Sequence, residues 1–274
     1  MAGSSASPGV DAVVLIRVTG VLGSAPREAG TAMLVGAADS EGTIGGGALE
    51  WRAMAIAREM LASGEEAHSV TLPLGPVLEQ CCGGQVTLDF ARVDREAARR
   101  AVAGERSRRP LVVLYGAGHV GKAMANLLAT LPCRLLWLDP RRGIFPDPLP
   151  GDIDARVLRA PETTVPALPA DAFHLVMTHS HALDLAVVEA VLRRGDFAWL
   201  GLIGSASKRA RFEHRLRAAG IEEGLLRRLV CPIGIAGIAG KEPAVIAVAT
   251  AAQLLRAFDA HGARAGLVGT EVAG

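Results

Sequence analysis

Three things are scarce in this 274-residue chain, and each scarcity excludes something. Cysteine comes first. There are only four, Cys81, Cys82, Cys133 and Cys231. Two are adjacent, a spacing that rarely pairs, and no CxxC faces a second CxxC, so a structural zinc site is not expected. A chain of this size does not need disulfides, and a reducing, cytoplasmic compartment is the simplest expectation. Charge of one sign is the second scarcity. Basic residues number 29 against 28 acidic ones, whereas a nucleic-acid binder usually carries a basic excess, so no nucleic-acid partner is expected. Long apolar runs are the third. None approaches the roughly 20 residues that span a bilayer. The longest, Glu242 to Phe258, is alanine-rich and interrupted by Pro243, Thr250, Gln253 and Arg256, and it reads as a packed core helix rather than a membrane segment. Met1 to Val10 has no basic start and no apolar centre, so it reads as a short disordered tail and not a secretory signal.

Hydrophobic residues make up 50% of the chain, enough for a sizeable core. The first half alternates strands with glycine punctuation. Strands are expected over Ala12–Thr19, Thr31–Val35, His68–Leu72 and Gln85–Val93, with a helix over Ala48–Ala62 and loops over Gly20–Gly30, Gly42–Gly47 and Leu74–Gly84. Arg92 to Arg109 is dense in Arg, Glu and Ala and reads as a solvated helix or a linker. The second half alternates strands and helices. Strands are expected over Leu111–Tyr115, Arg134–Leu138, Ala155–Leu158, Phe173–Thr178 and Ala198–Ile203, with helices over His119–Leu131, Ala182–Arg193 and Lys208–Ala219. That spacing predicts a parallel, doubly wound sheet. The fold class is therefore α/β: a C-terminal Rossmann-like domain over residues 107–274 and a smaller N-terminal α+β domain over residues 1–106. No internal repeat is visible.

Gly116-Ala117-Gly118-His119-Val120-Gly121 follows a strand and opens a helix. Gly116 permits a tight turn, Gly118 lets backbone approach a phosphate, and Gly121 lets helix and strand pack closely. Asp139 ends the next strand, where an acid takes a ribose hydroxyl, while Arg141 and Arg142 suit a 2′-phosphate. The plainer reading is a Rossmann fold whose site serves another ligand or an interface. Thr178-His179-Ser180-His181 with Asp184 lies at a strand's carboxyl end, where open α/β sheets bind ligands. Its histidines suit a metal or a phosphate, or else they cap strand and helix. Gly204-Ser205-Ala206-Ser207-Lys208-Arg209 suits an anion at a helix start, or is simply a capped helix. In the first half, Ser24 and Arg27 offer a hydroxyl and a guanidinium. Gly45, Gly46 and Gly47 offer backbone N–H groups to a phosphate or a pterin amide edge, with Glu50 in the following first turn, and turn chemistry is the plainer alternative. Gln80-Cys81-Cys82-Gly83-Gly84 puts two thiols in a flexible loop, fit for a soft metal or sulfur. Cys133 and Cys231, each beside a proline, read as buried fillers.

Seven motifs in order resemble the XdhC/CoxI family: Gly23 to Gly30, Gly42 to Glu50, Leu74-Gly75-Pro76 with Gln80 to Gly84, Gly116 to Gly121, Thr178 to His181, Gly201 to Ser205 and Pro232 to Ile235. The resemblance covers nearly the whole chain. It implies a chaperone, not an enzyme, that holds the molybdenum cofactor (molybdopterin) while a cysteine desulfurase installs its terminal sulfido ligand, then delivers it to apo-xanthine dehydrogenase. It also implies an N-terminal XdhC/CoxI-type domain and a Rossmann domain. On chemical grounds, a cleft between the domains could offer glycine N–H groups to the phosphate and a thiol to the metal. The expected cofactor-binding residues are Arg27, Gly45, Gly46, Gly47, Cys81, Cys82, Gly116, Gly118, His119, Val120, Gly121, Asp139, His179, His181 and Ser205, with Cys81 and Cys82 as candidate molybdenum ligands. NAD(P) as a further ligand and a homodimer are additional expectations. The alternative is an NAD(P)-dependent oxidoreductase using the Rossmann half.

Overall fold

The computed structural model describes residues 11–74 and 83–270. The chain divides into two compact units, Met1–Glu105 and Arg106–Gly274.

The first unit is built on a five-stranded antiparallel sheet of order β3-β2-β1-β5-β4. Its strands are β1 (Ala12–Leu22), β2 (Ala32–Val35), β3 (Ser40–Gly42), β4 (Ala67–Pro73) and β5 (Gln85–Asp94), with helices α1 (Gly47–Ser63) and α2 (Arg95–Ser107). β1 is apolar on both faces because both faces are covered. Val14, Ile16 and Val18 pack with Leu49, Ala53, Ala57 and Met60 of α1, while Val13 and Leu15 pack with Ala98, with Val102 alongside. Burying each of the valine, isoleucine, leucine and methionine side chains contributes about 1.5–3 kcal/mol. The charged stretch before Pro110 is thus a helix. Asp94 caps it by accepting from the Glu96 and Ala97 N–H groups at 3.0 Å each, and two of its arginines are tied down. Arg95 donates to Asp39 and Asp11, and Arg99 to Glu41. Two short features escaped the sequence expectation: β1 runs on to Leu22, and β3 exists only as a three-residue partner of β2.

The second unit carries a six-stranded parallel sheet of order β11-β10-β9-β6-β7-β8. The strands are β6 (Leu111–Tyr115), β7 (Arg134–Asp139), β8 (Asp154–Val157), β9 (Phe173–Val176), β10 (Trp199–Leu202) and β11 (Leu229–Val230). The helices are α3 (His119–Leu128), α4 (His181–Arg194), α5 (Ala206–Ala218), the single-turn α6 (Glu223–Leu226) and α7 (Pro243–Thr270), with a 3-10 turn over Pro161–Ala167. Counting strands from β6, this is the 3-2-1-4-5-6 order of the dinucleotide-binding fold. Val113, Val176 and Leu202 face α4 and α5 through Val187, Val188, Phe212 and Leu216. Val112, Leu114 and Leu175 face α3 and α7 through Met124, Ala125, Ala247 and Leu254. Strands covered on both sides read as unbroken apolar runs, which is why LVVLY was legible. Cys133 and Cys231 are buried, as fillers should be.

Within α7, Pro243–Gly262 is long and apolar enough, by length and composition, to cross a membrane. Its inward stripe, Ala247, Thr250, Ala251 and Leu254, is buried, and Ala247 and Leu254 join the core that holds α3.

Candidate functional site

The carboxyl edge of the parallel sheet brings two of the motifs side by side. In the first, the glycines divide their work as the spacing predicts. Gly116 sits at φ +113°, and a Cβ there would lie 2.3 Å from the Met177 carbonyl oxygen. A Cβ on Gly121 would lie 2.1 Å from the Gly116 carbonyl oxygen. Gly118 has open space where its Cβ would be. It is the N-cap of α3, in extended backbone, with no side-chain cap. His119 is exposed and Val120 half-buried at the start of that helix. Trp137 braces the turn from below, its indole N–H donating to the Gly116 carbonyl at 2.9 Å.

Asp139 is fully buried, and its carboxylate is engaged by four donors. Oδ2 accepts from the Ala117 N–H at 2.7 Å and from Arg141 Nη2 at 2.8 Å. Oδ1 accepts from Arg141 N and Nε, each at 2.9 Å. A carboxylate has about four lone-pair positions, so a ribose diol would have to displace Arg141. Burial pushes this carboxyl's pKa up, but the bonds from Arg141 and Ala117 outweigh it and hold the group below its usual range.

The second motif is reached directly from the first, because a Cβ on Gly116 would also touch Thr178 Cα at 2.9 Å. Here α4 and α5 both begin at a cavity of about 360 Å³, lined by Thr178, His179, His181, Ser205, Lys208 and Arg211, among others. Its floor is a buried ion pair. Lys208 Nζ donates to Asp184 Oδ2 at 2.6 Å and to the Ile203 carbonyl at 2.8 Å. Asp184 Oδ1 accepts from the Thr178 N–H at 2.9 Å and from its hydroxyl at 2.7 Å. Ser180 and Ser205 cap the two helices, accepting from the Leu183 and Lys208 N–H groups. His179, His181, Ser205 and Arg211 are exposed around the rim. Arg209 is turned away, donating to Glu213 and to the Cys231 carbonyl. Arg211, one helical turn past Lys208, takes the place that the sequence suggested for Arg209. Sequence reasoning missed Arg211 and the Asp184–Lys208 pairing, and only the i, i+3 spacing on α5 pointed to the former.

The N-terminal motif loops also meet, at one end of their own sheet. A Cβ on Gly45 would sit 2.7 Å from Pro26 Cγ, and one on Gly84 would sit 2.3 Å from the Ser24 carbonyl oxygen. Gly45, Gly46 and Gly47 all have positive φ. Their cradle is already filled. Glu50 Oε2 accepts from the Ile44 and Gly46 N–H groups at 3.1 Å each and from the Thr43 hydroxyl at 2.5 Å. The Gly45 N–H donates to Thr43 Oγ1 at 3.1 Å. Burial raises the Glu50 pKa, but these bonds and the charge of nearby Arg27 bring it below its usual value. Arg27 itself is exposed. Cys81 and Cys82 lie outside the described residues.

Two family models match the chain in order. One, described as the XdhC and CoxI family, covers residues 10–72, and the other, the XdhC Rossmann domain, covers residues 112–254. The chain belongs to the XdhC/CoxI family. Among curated relatives, the uncharacterized protein YqeB of Escherichia coli (strain K12) is 28% identical over 235 residues, 85% of this chain and 41% of that protein. The chain therefore spans less than half the length of that relative. A solved structure from Bacillus halodurans, described as a xanthine dehydrogenase, aligns with a TM-score of 0.74 at 17% identity, over 92% of this chain and 93% of that one. At that identity the likeness establishes a shared fold.

Proposed function

We propose that this chain is a maturation factor for xanthine-dehydrogenase-type enzymes: it binds the molybdenum cofactor, holds it during sulfuration by a cysteine desulfurase, and delivers it to the apo-enzyme. The observation that carries the reading is membership of the XdhC/CoxI family over both halves of the chain, in order. The shared fold with a structure described as a xanthine dehydrogenase supports it.

The residues of the Rossmann unit fit such a ligand. The cofactor supplies a phosphate, a pterin and a metal held by a dithiolene. The rim of the β9–β10 cavity offers two imidazoles, a guanidinium and a hydroxyl, all outside the core. The Gly118 turn offers backbone with nothing packed over it. The Gly45–Gly47 loop fits less well, because Thr43 and Glu50 already hold the Gly45 and Gly46 N–H groups. The thiols Cys81 and Cys82 remain the proposed partners of metal or sulfur.

The reading is tested by anaerobic titration of the purified chain with molybdenum cofactor, followed by the fluorescence of the oxidised pterin, and by supplying the loaded protein to apo-xanthine dehydrogenase. Saturable binding and recovered activity are expected. Full xanthine dehydrogenase activity in cells lacking the chain, or robust NAD(P)H turnover by the chain alone, overturns it in favour of an oxidoreductase.

A further inference from the structure

We propose that the cavity at the carboxyl ends of β9 and β10 is a seat for a tetrahedral oxyanion, specifically the phosphate of a phosphomonoester, distinct from the Gly116–Gly121 turn where this fold usually takes phosphate. As the seat of a cofactor's phosphate it rests on the maturation reading. As an oxyanion seat it stands on the geometry alone.

Four observations converge. The cavity, about 360 Å³, is within the range of about 300–1,000 Å³ of small-molecule sites. Two helices of 14 and 13 residues start at it, so both contribute the positive end of their dipole and their unpaired first N–H groups. Lys208, 7% exposed, lines it. An ammonium has three protons. Two are fixed by Asp184 and Ile203, and the third meets only the Phe212 ring, 5.4 Å away, among the described residues. Arg211 stands at the rim with no ion pair among the described residues.

The one acid in the lining, Asp184, opposes an anion least where its oxygens are covered. Thr178 covers one oxygen and Lys208 the other. Ser205 accepts from the Lys208 N–H at 3.2 Å, so its hydroxyl proton remains available to a ligand. The buried Lys208, with one proton turned to no oxygen acceptor among the described residues, the exposed Arg211 guanidinium and two helix starts together line a receptor for an oxyanion. A spherical or planar ligand would use fewer of these donors. Arg141 gives the β7 end a different character, because its guanidinium is bonded to Asp139 through Nε and Nη2.

The test uses the full chain and inorganic phosphate as the probe, with binding followed by calorimetry. Phosphate is expected to bind wild type. Arg211→Ala, an exposed change, is expected to weaken it about tenfold, the loss of one charge-assisted hydrogen bond, with an unchanged circular dichroism spectrum. Lys208→Gln, compared with Lys208→Arg, serves as a second variant. Phosphate binding that survives both Arg211→Ala and Lys208→Gln in folded protein overturns the proposal. A separate arm sets a nucleoside monophosphate against molybdate. Competition by the ester supports the seat as proposed, and failure of the ester to compete, whatever molybdate does, overturns the phosphomonoester assignment. Phosphate binding without any cofactor binding retains the seat and removes the maturation reading.

Discussion

Two glycine-rich loops in this chain lead into helices, and they have opposite fates. At Gly45–Gly47 the Gly45 and Gly46 N–H groups are consumed locally, because Thr43 and Glu50 turn back onto them. At Gly116–Gly121 the glycines fit sheet and helix together and leave the Gly118 backbone uncovered. The same composition therefore closes one loop and opens the other. What separates them is whether a carboxylate on the first helical turn reaches back. Glu50 does so in α1, while α3 begins His119-Val120-Gly121 with no acid in its first turn. An open loop lies beside a cavity at the carboxyl edge of the second unit's sheet, and a buried ion pair underlies that edge.

The largest expected effect comes from breaking that support. Lys208 and Asp184 are 7% and 1% exposed, so removing either strands its partner. Such orphaned charges cost about 3–5 kcal/mol. Lys208→Ala and Asp184→Ala should each lower the unfolding free energy of the second unit by about that amount, read as a fall in its urea midpoint. The double variant Asp184→Leu with Lys208→Met should recover most of it. If the single variants unfold no earlier than wild type, the pair does not support the open edge.

A second test lies one layer deeper. His174 in β9 is 2% exposed, with Nδ1 3.1 Å from the Tyr115 hydroxyl. Burial, together with the charge of Arg194, pushes its pKa down to about 4 from 6.5. Between those values the unfolded chain binds a proton that the folded one does not. Stability from this group is therefore complete above pH 6.5 and is lost as the pH falls towards 4. The loss amounts to about 3 kcal/mol. His174→Asn should remove this pH dependence from chemical unfolding curves between those limits, and an unchanged slope would refute the assignment.

The closed loop provides the third test. Glu50→Ala leaves the Ile44 and Gly46 N–H groups and the Thr43 hydroxyl without their acceptor. It should cost about 1–3 kcal/mol in the first unit, with Glu50→Gln recovering part. Because its folded pKa is lowered, the Glu50 contribution is present above pH 4.5 and fades as the pH falls through the folded value. Added sulfate should restabilise Glu50→Ala more than wild type, since it turns a closed cradle into an open one. Equal restabilisation of both would count against the cradle.

How far these features were legible depended on the distance over which each is encoded. LVVLY followed by Gly-Ala-Gly-His-Val-Gly is encoded within eleven residues, and both its strand and the roles of Gly116 and Gly121 could be read directly. β3 and β11 were not legible, since three and two residues carry no period of their own and are held by neighbouring strands. Asp139 was visible as an acid at a strand end, but the bidentate grip of Arg141 follows from side-chain geometry that spacing does not specify. Asp184 and Lys208 lie 24 residues apart, and only the parallel register of β9 with β10 brings their helices to one cavity. Glu50 was noticed in its first turn. That it would fill the cradle, rather than flank it, depends on the positive φ of the three glycines.

The smallest expected effect separates the two loops most directly, through one pair of identical substitutions. Gly45 has φ +126° and its Cβ would meet Pro26 at 2.7 and 2.8 Å, so Gly45→Ala must strain the backbone and displace the neighbouring loop. A non-glycine residue held outside the favoured regions costs about 1–3 kcal/mol. Gly118 has φ −73° and no atom within 4 Å of its Cβ position. Two small terms then compete in Gly118→Ala. Alanine is the poorer N-cap by some tenths of a kcal/mol, while the loss of glycine's freedom in the unfolded chain returns about 0.4–1 kcal/mol. The net should lie within about 0.5 kcal/mol of zero. Thermal unfolding should therefore show Gly45→Ala clearly destabilised and Gly118→Ala indistinguishable from wild type. The larger Gly118→Val should remain folded while weakening any ligand whose phosphate approaches the α3 start. If Gly118→Ala proves as damaging as Gly45→Ala, the turn is closed after all and the contrast between the loops fails.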